Sequence, residues 1–349
     1  MDIDHIHFYV EDAQRWRDWF SEIGFAAVGT QITPHTRTEI VHIGDIYFAL
    51  SSPLSQHSPV AQFLDVQAVG VTDLALRVAD LPVILNQAIA AGAKLLQPLQ
   101  VETTERGELK LAQIQGWGNL RHTLVQRTGS TPLLPGLELV QTDQAAALIQ
   151  HIDHCVLNVA NPDLPVAIAW YEKVLGLRGD RSFAIQTQRS ALRSQVLVHP
   201  QGSVQFPINE PASPSSQIQE FLNINRGSGI QHIALRTNNI VAAIADLRQR
   251  GLQFLKTPAS YYQNLRQRLP EKLLLDLKIL EEQQILVDWH PEQPQRLLLQ
   301  IFTEPIFAQP TFFLEIIERR SQAEGFGEGN FLALFEAIER EQIKRGSLG

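Results

Sequence analysis

Three residues of this chain, His154, His232 and Glu315, have the types and settings to hold one divalent metal ion. Glu315 interrupts the run 311–319 (TFFLEIIER), whose Thr, Phe, Leu and Ile residues suit a strand. Strand period places it on one face with Phe313 and Ile317. A carboxylate buried as an anion on such a face is costly unless a cation meets it. His154 lies in 152–159, where alternation gives it a face with Ile152 and Val156. His232 lies in 230–236, on a face with Ile230 and Ala234. Two imidazoles and a carboxylate with open positions are the facial ligand set of non-haem Fe(II) oxygenases, and the open positions suit a chelating substrate and dioxygen.

The chain carries its own control for this reading, because it is duplicated. Ile3-Asp4-His5 is echoed by Ile152-Asp153-His154, and 70–78 (GVTDLALRV) by 229–237 (GIQHIALRT). Phe63-Leu64 and Phe221-Leu222 precede the second pair. In this alignment Asp73 stands where the second half has His232, and Thr123 where it has Glu315; only His5 is kept. The first half is therefore expected to be scaffold without a metal.

The other histidines lack such a pattern. His151 is three residues from His154, and strand residues three apart face opposite ways. His7, His35, His42, His57, His122, His199 and His290 default to structure or solvent. Gly325, Gly327 and Gly329 are not followed by the Lys-Ser/Thr of a phosphate loop.

The elements that must position the three ligands follow from the repeat. Residues 1–145 and 150–349 form the halves, with 128–136 (TGSTPLLPG) as a turn-rich connector. Each half divides into two segments reading strand, helix, several strands, with the helices stopping at Gly24, Gly92, Gly176 and Gly251. The expected fold is α+β: two domains, each of two βαβββ modules curled into an open barrel, plus a C-terminal helix. This plan resembles the vicinal-oxygen-chelate (glyoxalase-like) superfamily. In the tail, Phe331, Leu334, Phe335 and Ile338 recur on one helical face behind a candidate N-cap, Asn330. A helix over 328–345 behind flanking glycines is expected to act as a lid.

Composition removes other classes. A net charge of −8 without a basic run gives no footprint for nucleic acid. The opening MDIDHIHFYV is acidic where a signal peptide is basic, and no apolar run approaches about 18 residues, so a cytoplasmic protein away from the membrane is expected. The single cysteine, Cys155, rules out an internal disulfide and a multi-cysteine metal site.

Several segments of the second half resemble the 4-hydroxyphenylpyruvate dioxygenase family: 206–211 (FPINEP), 229–235 (GIQHIAL), 261–265 (YYQNL), 298–303 (LLQIFT), 313–319 (FLEIIER) and 325–336 (GFGEGNFLALFE). The resemblance implies Fe(2+) on His154, His232 and Glu315, O2 as co-substrate and no organic cofactor. It implies a substrate site formed by Ser194, Asn209, Gln217, Gln300, Phe302, Phe313, Phe331 and Phe335, with Leu255 nearby. The implied reaction converts 4-hydroxyphenylpyruvate and O2 to homogentisate and CO2, in tyrosine catabolism, in a homo-oligomer (dimer or tetramer). Residue chemistry agrees. Gln300 and Phe302 lie two apart, so one strand face offers an amide and a ring. Asn209 interrupts an apolar strand just before Pro211, though a turn residue is the plain alternative, as a solvated amide is for Gln217. Three other readings compete. Hydroxymandelate synthase shares fold, metal and substrate but oxidises the benzylic carbon. An extradiol dioxygenase would consume O2 with a catechol and not with a keto acid, and a metal-free ligand-binding protein would hold no iron.

Overall fold

Each of the four repeated openings becomes the first strand of a βαβββ module in a computed structural model of the chain, which describes residues 1–137, 140, 147–187, 190–270, 273, 275–307 and 311–346. The first module is β1 (Asp2–Tyr9), α1 (Ala13–Glu22), β2 (Ala26–Ile32), β3 (Thr36–Ile43) and β4 (Ile46–Pro53). After a short α2 (Pro59–Val66), the second is β5 (Gly70–Arg77), α3 (Leu81–Ala90), β6 (Leu95–Thr104), β7 (Gly107–Gln115) and β8 (Arg121–Gly129). The third is β9 (Ile149–Asn158), α4 (Leu164–Leu175), β10 (Arg178–Gln186), β11 (Ala191–Val198) and β12 (Gln205–Pro211), followed by α5 (Gln217–Asn225). The fourth, β13 (Gly229–Thr237), α6 (Ile240–Gln249), β14 (Leu286–His290), β15 (Gln293–Phe302) and β16 (Phe313–Arg319), carries an insertion with α7 (Ala259–Arg268) and α8 (Leu277–Glu282). A final helix, α9 (Phe331–Arg345), closes the chain.

Two eight-stranded sheets result, in the order β2-β3-β4-β1-β5-β8-β7-β6 and β10-β11-β12-β9-β13-β16-β15-β14. The α+β expectation and the repeated module are therefore borne out. Thr128 and Gly129 belong to β8 rather than to a connector. Three of the four crossover helices, α1, α3 and α6, begin on side-chain caps at Asp12, Asp80 and Asn239 that accept backbone N–H groups, and they bury apolar stripes such as Trp16/Phe20 and Ile240/Ile244/Leu247. One continuous apolar core runs through both halves. His122 Nε2 and the Tyr171 hydroxyl meet at 3.1 Å across that junction, and the Phe8 ring meets those of Phe307 and Phe312.

The centre of the second sheet is what positions the site. β9 runs antiparallel to β13, and β13 parallel to β16, so the three candidate ligand strands are immediate neighbours. Ala234 is the register partner of His154 on one side and of Glu315 on the other. Neighbouring strands lie about 4.8 Å apart, so the two ligand backbones are separated by one strand whose residue at that level carries only a methyl group. No bulky side chain therefore stands between His154 and Glu315 at that level. The first sheet repeats the arrangement with Ala75 opposite His5.

One expectation about β13 is corrected. Alternation alone places Ile230 beside His232, but the ladder to β9 shifts register between them, and Gln231 is the extra residue of a bulge. Ile230 joins the apolar core, while Gln231 and His232 both line the cavity.

Candidate metal centre

His154, His232 and Glu315 converge: one nitrogen or oxygen of each lies within 4.8 Å of the others, and all three residues are buried. His154 Nε2 is 3.4 Å and His232 Nε2 is 3.7 Å from Glu315 Oε2. Two imidazole nitrogens and a carboxylate oxygen on three adjacent strands form a donor set that a divalent first-row ion fits. His154, His232 and Glu315 are the one such group of three among the described residues. In the first half, Asp73 instead accepts hydrogen bonds from the side chains of Thr123 (2.5 Å) and Gln113 (2.6 Å), a closed polar cluster.

The ring orientations are set by neighbours. His154 Nδ1 meets Asp153 Oδ1 at 2.9 Å, which turns Nε2 toward the site. Asp153 is in turn held by Arg319 through two bonds of 2.7 Å. Burial opposes the Asp153 anion, but those bonds from Arg319 and His154 keep its carboxyl well below the usual range. His232 stacks flat on Phe313, centroids 4.7 Å apart and planes 13° apart, and its Nδ1 has no hydrogen-bond partner among the described residues.

Without metal, these surroundings act on the histidines in opposite directions. Burial opposes a charged His154, but the Glu315 carboxylate and the bond to Asp153 outweigh it and push His154 up to about 9. Burial and the neighbouring His154 push His232 well below its ordinary value. A folded-state value above the unfolded one contributes stability that is complete below the unfolded value, near 6.5, and lost as pH rises through about 9. The metal-free protein is therefore expected to lose stability between pH 7 and 9, by at most about 1.4 kcal/mol per pH unit. A bound divalent ion displaces that proton, so the rise in Tm on adding the ion should grow over the same range. Thermal melts with chelator and with Co(II) at pH 7, 8 and 9 check this; an apo Tm independent of pH would remove the protonated His154.

Above the triad lies a cavity whose wall includes His154, His232 and Glu315 themselves. Asn209, Gln217, Gln300, Phe302, Phe313, Phe331 and Phe335 all line it, with the remaining wall mainly apolar. Ser194 is not in that lining; it lies opposite Asn209 in the β11–β12 ladder, with its Oγ buried and unpartnered among the described residues. Leu255 lines an adjoining recess that shares Gln217, Gln231, Phe313 and Ile338 with the cavity. Gln217 Oε1, at the first turn of α5, has no partner among the described residues and is free to accept. Gln300 is differently engaged: its Nε2 donates to Glu315 Oε1 and to Phe326 O, each at 2.9 Å, and its Oε1 accepts from Asn330 Nδ2 at 3.0 Å. Asn330 does not cap α9 with its side chain as expected, because that side chain is bonded to Gln300 and to the Tyr261 hydroxyl. Gly327, at φ +78°, is required here, since a Cβ would collide with Gln300 Oε1.

Sequence reasoning missed Gln231, Phe326, Asp153 and Arg319. The last two were visible in the repeat, as Asp4 and Arg127 occupy the equivalent positions, but sequence alone does not say that the two residues touch.

These features define a class first. A family model described as the Glyoxalase/Bleomycin resistance protein/Dioxygenase superfamily matches residues 151–276. A triple mutant of 4-hydroxymandelate synthase from Streptomyces coelicolor superposes with a TM-score of 0.88 at 27% identity, covering 98% of each chain. Among curated relatives, 4-hydroxyphenylpyruvate dioxygenase of Dictyostelium discoideum is 37% identical over 99% of both chains. That of Coccidioides posadasii is 35% identical over 99% of this chain and 94% of its own. The chain belongs to the 4-hydroxyphenylpyruvate dioxygenase family.

Proposed function

We propose that this protein is a non-haem Fe(II) dioxygenase that converts 4-hydroxyphenylpyruvate and O2 to homogentisate and CO2. The observation that carries the reading is the His–His–Glu set at the base of an aromatic-walled cavity roofed by α9, in a chain of this family. Iron(II) held by His154, His232 and Glu315 would supply oxygen activation and adjacent coordination sites for the two oxygens of a 2-oxo acid.

The protein's own residues do the remaining work. Asp153 fixes the His154 tautomer with Nε2 as the free donor. Phe302, Phe313, Phe331 and Phe335 form an apolar slot for a phenyl ring, where a misplacement of about 1 Å can cost roughly 100-fold in rate. Gln217 Oε1 offers an acceptor for a phenol hydroxyl and Asn209 a second amide, neither adding charge to the cavity. Phe326, Phe331 and Phe335 exclude water above the reacting centre. The substrate carries its own keto acid, so no organic cofactor is part of the reading. Residues 1–145 serve as metal-free scaffold and 150–349 as catalytic unit, in a cytoplasmic homo-oligomer. Leu95, Leu96, Leu99 and Val101, exposed on the edge strand β6, support self-association. Among the described residues no helix is long and apolar enough to cross a membrane.

Incubation with Fe(II), ascorbate and 4-hydroxyphenylpyruvate should yield homogentisate as the aromatic product. 4-Hydroxymandelate in its place would establish the second reading, which the superposition on hydroxymandelate synthase keeps specific. Uptake of O2 with a catechol but not with the keto acid would reject both.

A further inference from the structure

Arg319 has two arms. Nε and one terminal nitrogen grip both oxygens of Asp153 at 2.7 Å, and Asp153 grips His154. The other terminal nitrogen donates to the carbonyls of Ala323 (3.2 Å) and Gly325 (2.7 Å). Those carbonyls belong to the turn that leads into Phe326, whose ring sits edge-on to His154 at 5.0 Å with the Arg319 guanidinium 5.8 Å from its centroid. Gln300 makes a parallel tie, joining Glu315 to Phe326 O and Asn330. The segment 323–330, which carries α9, is thus fastened to two of the three candidate ligands.

The first half shows what this clamp is without a metal site. Arg127 grips both oxygens of Asp4, at 3.0 and 2.8 Å, and Asp4 grips His5 at 2.8 Å. The remaining Arg127 bonds go to the Thr131 hydroxyl and the carbonyls of Pro132 and Leu133. The clamp is a feature of the duplicated module; what differs is its cargo. In the first half it pins the connector beside a histidine with no co-ligands, and in the second it pins the root of the roof helix beside a ligand.

We propose that Arg319 is a positioning residue that links occupancy of the metal site to docking of α9. The proposal rests on the metal reading of the triad. Linkage is reciprocal: if the docked helix strengthens metal binding by some factor, the metal strengthens docking by the same factor. Removing such an outer partner of a ligand histidine typically weakens metal binding 10–100-fold.

The experiment uses the full-length protein, R319K and the matched R127K, with Co(II) as probe. Lys keeps the charge at each position but cannot span a carboxylate and two carbonyls. Co(II) affinity is measured by equilibrium dialysis, exchange of the α9 amides with and without Co(II) by mass spectrometry, and Tm for each variant. In the unaltered protein Co(II) should slow α9 exchange by about 10–100-fold. R319K should bind Co(II) about 10–100-fold more weakly and lose that slowing, whereas R127K keeps both within about twofold whatever its Tm. Equal shifts in the two variants would reduce Arg319 to a structural clamp and overturn the proposal. So would α9 exchange unmoved by Co(II) in the unaltered protein, an arm that needs no variant to fold. No Co(II) binding by the unaltered protein would instead reject the metal reading itself, and this proposal with it.

Discussion

Replacing His232 by Ala should reduce metal content to below about a tenth of an equivalent and turnover by at least about 1000-fold, roughly 4 kcal/mol in the barrier. Its Nε2 lies 3.7 Å from Glu315 Oε2, and its ring is held flat against Phe313. Ala leaves two donors, His154 and Glu315, at a site that needs three to fix a chelate and an oxygen in adjacent positions. His151→Ala is the comparison, because His151 lies on β9 yet lines neither the triad nor the cavity. It should keep metal content and turnover within about twofold. Iron analysis and oxygen uptake on the two variants decide the matter, and comparable losses in both would overturn the ligand assignment.

Removal of 328–349 should lower turnover by about 100-fold and reduce the ratio of homogentisate formed to O2 consumed below one half. Phe331, Leu334, Phe335 and Ile338 form one wall of the cavity, and Phe331 meets Phe183 at 4.8 Å across its rim. Without them water reaches the triad, and oxygen use is expected to uncouple from product formation. The deletion also takes Asn330 from Gln300, loosening the amide that holds Glu315. Phe331→Ala is the milder variant, expected to depress the product ratio more than the rate of oxygen uptake. Deletion without effect on rate or ratio would leave α9 a docked helix and nothing more.

Much of this site was legible beforehand because period and duplication are written into the chain. The same-face logic that paired Phe313 with Glu315 needs only that a strand alternates. It fails between His151 and His154, because the β9–β13 ladder shifts register at Asp153 and pairs Ile152 with Leu235, so that Ile152 leaves the face of His154. The helical stripe at Phe331, Leu334, Phe335 and Ile338 needs only a 3.6-residue period, and all four residues do face the cavity. The replacement of His232 by Asp73 and of Glu315 by Thr123 could be read from alignment of the halves. The ladders reproduce that alignment, pairing His232 with Phe313 and Asp73 with Arg121.

The remainder was settled by contacts between residues distant in sequence. A bulge at Gln231 exists only relative to the facing strand, so no single-strand pattern could move Ile230 out of the cavity and Gln231 into it. Asn330 has the local chemistry of a helix cap, but buried between Gln300 and Tyr261 it satisfies those partners instead. Sequence by itself determined the repeated module, and it singled out the three candidate donors and the half that carries them, since each is a matter of residue type and spacing. Only the tertiary structure decided that Ala234 opens the gap between His154 and Glu315, and that Arg319 and Gln300 tie those two residues to the root of α9. Strand order and register bring together side chains that no local period relates.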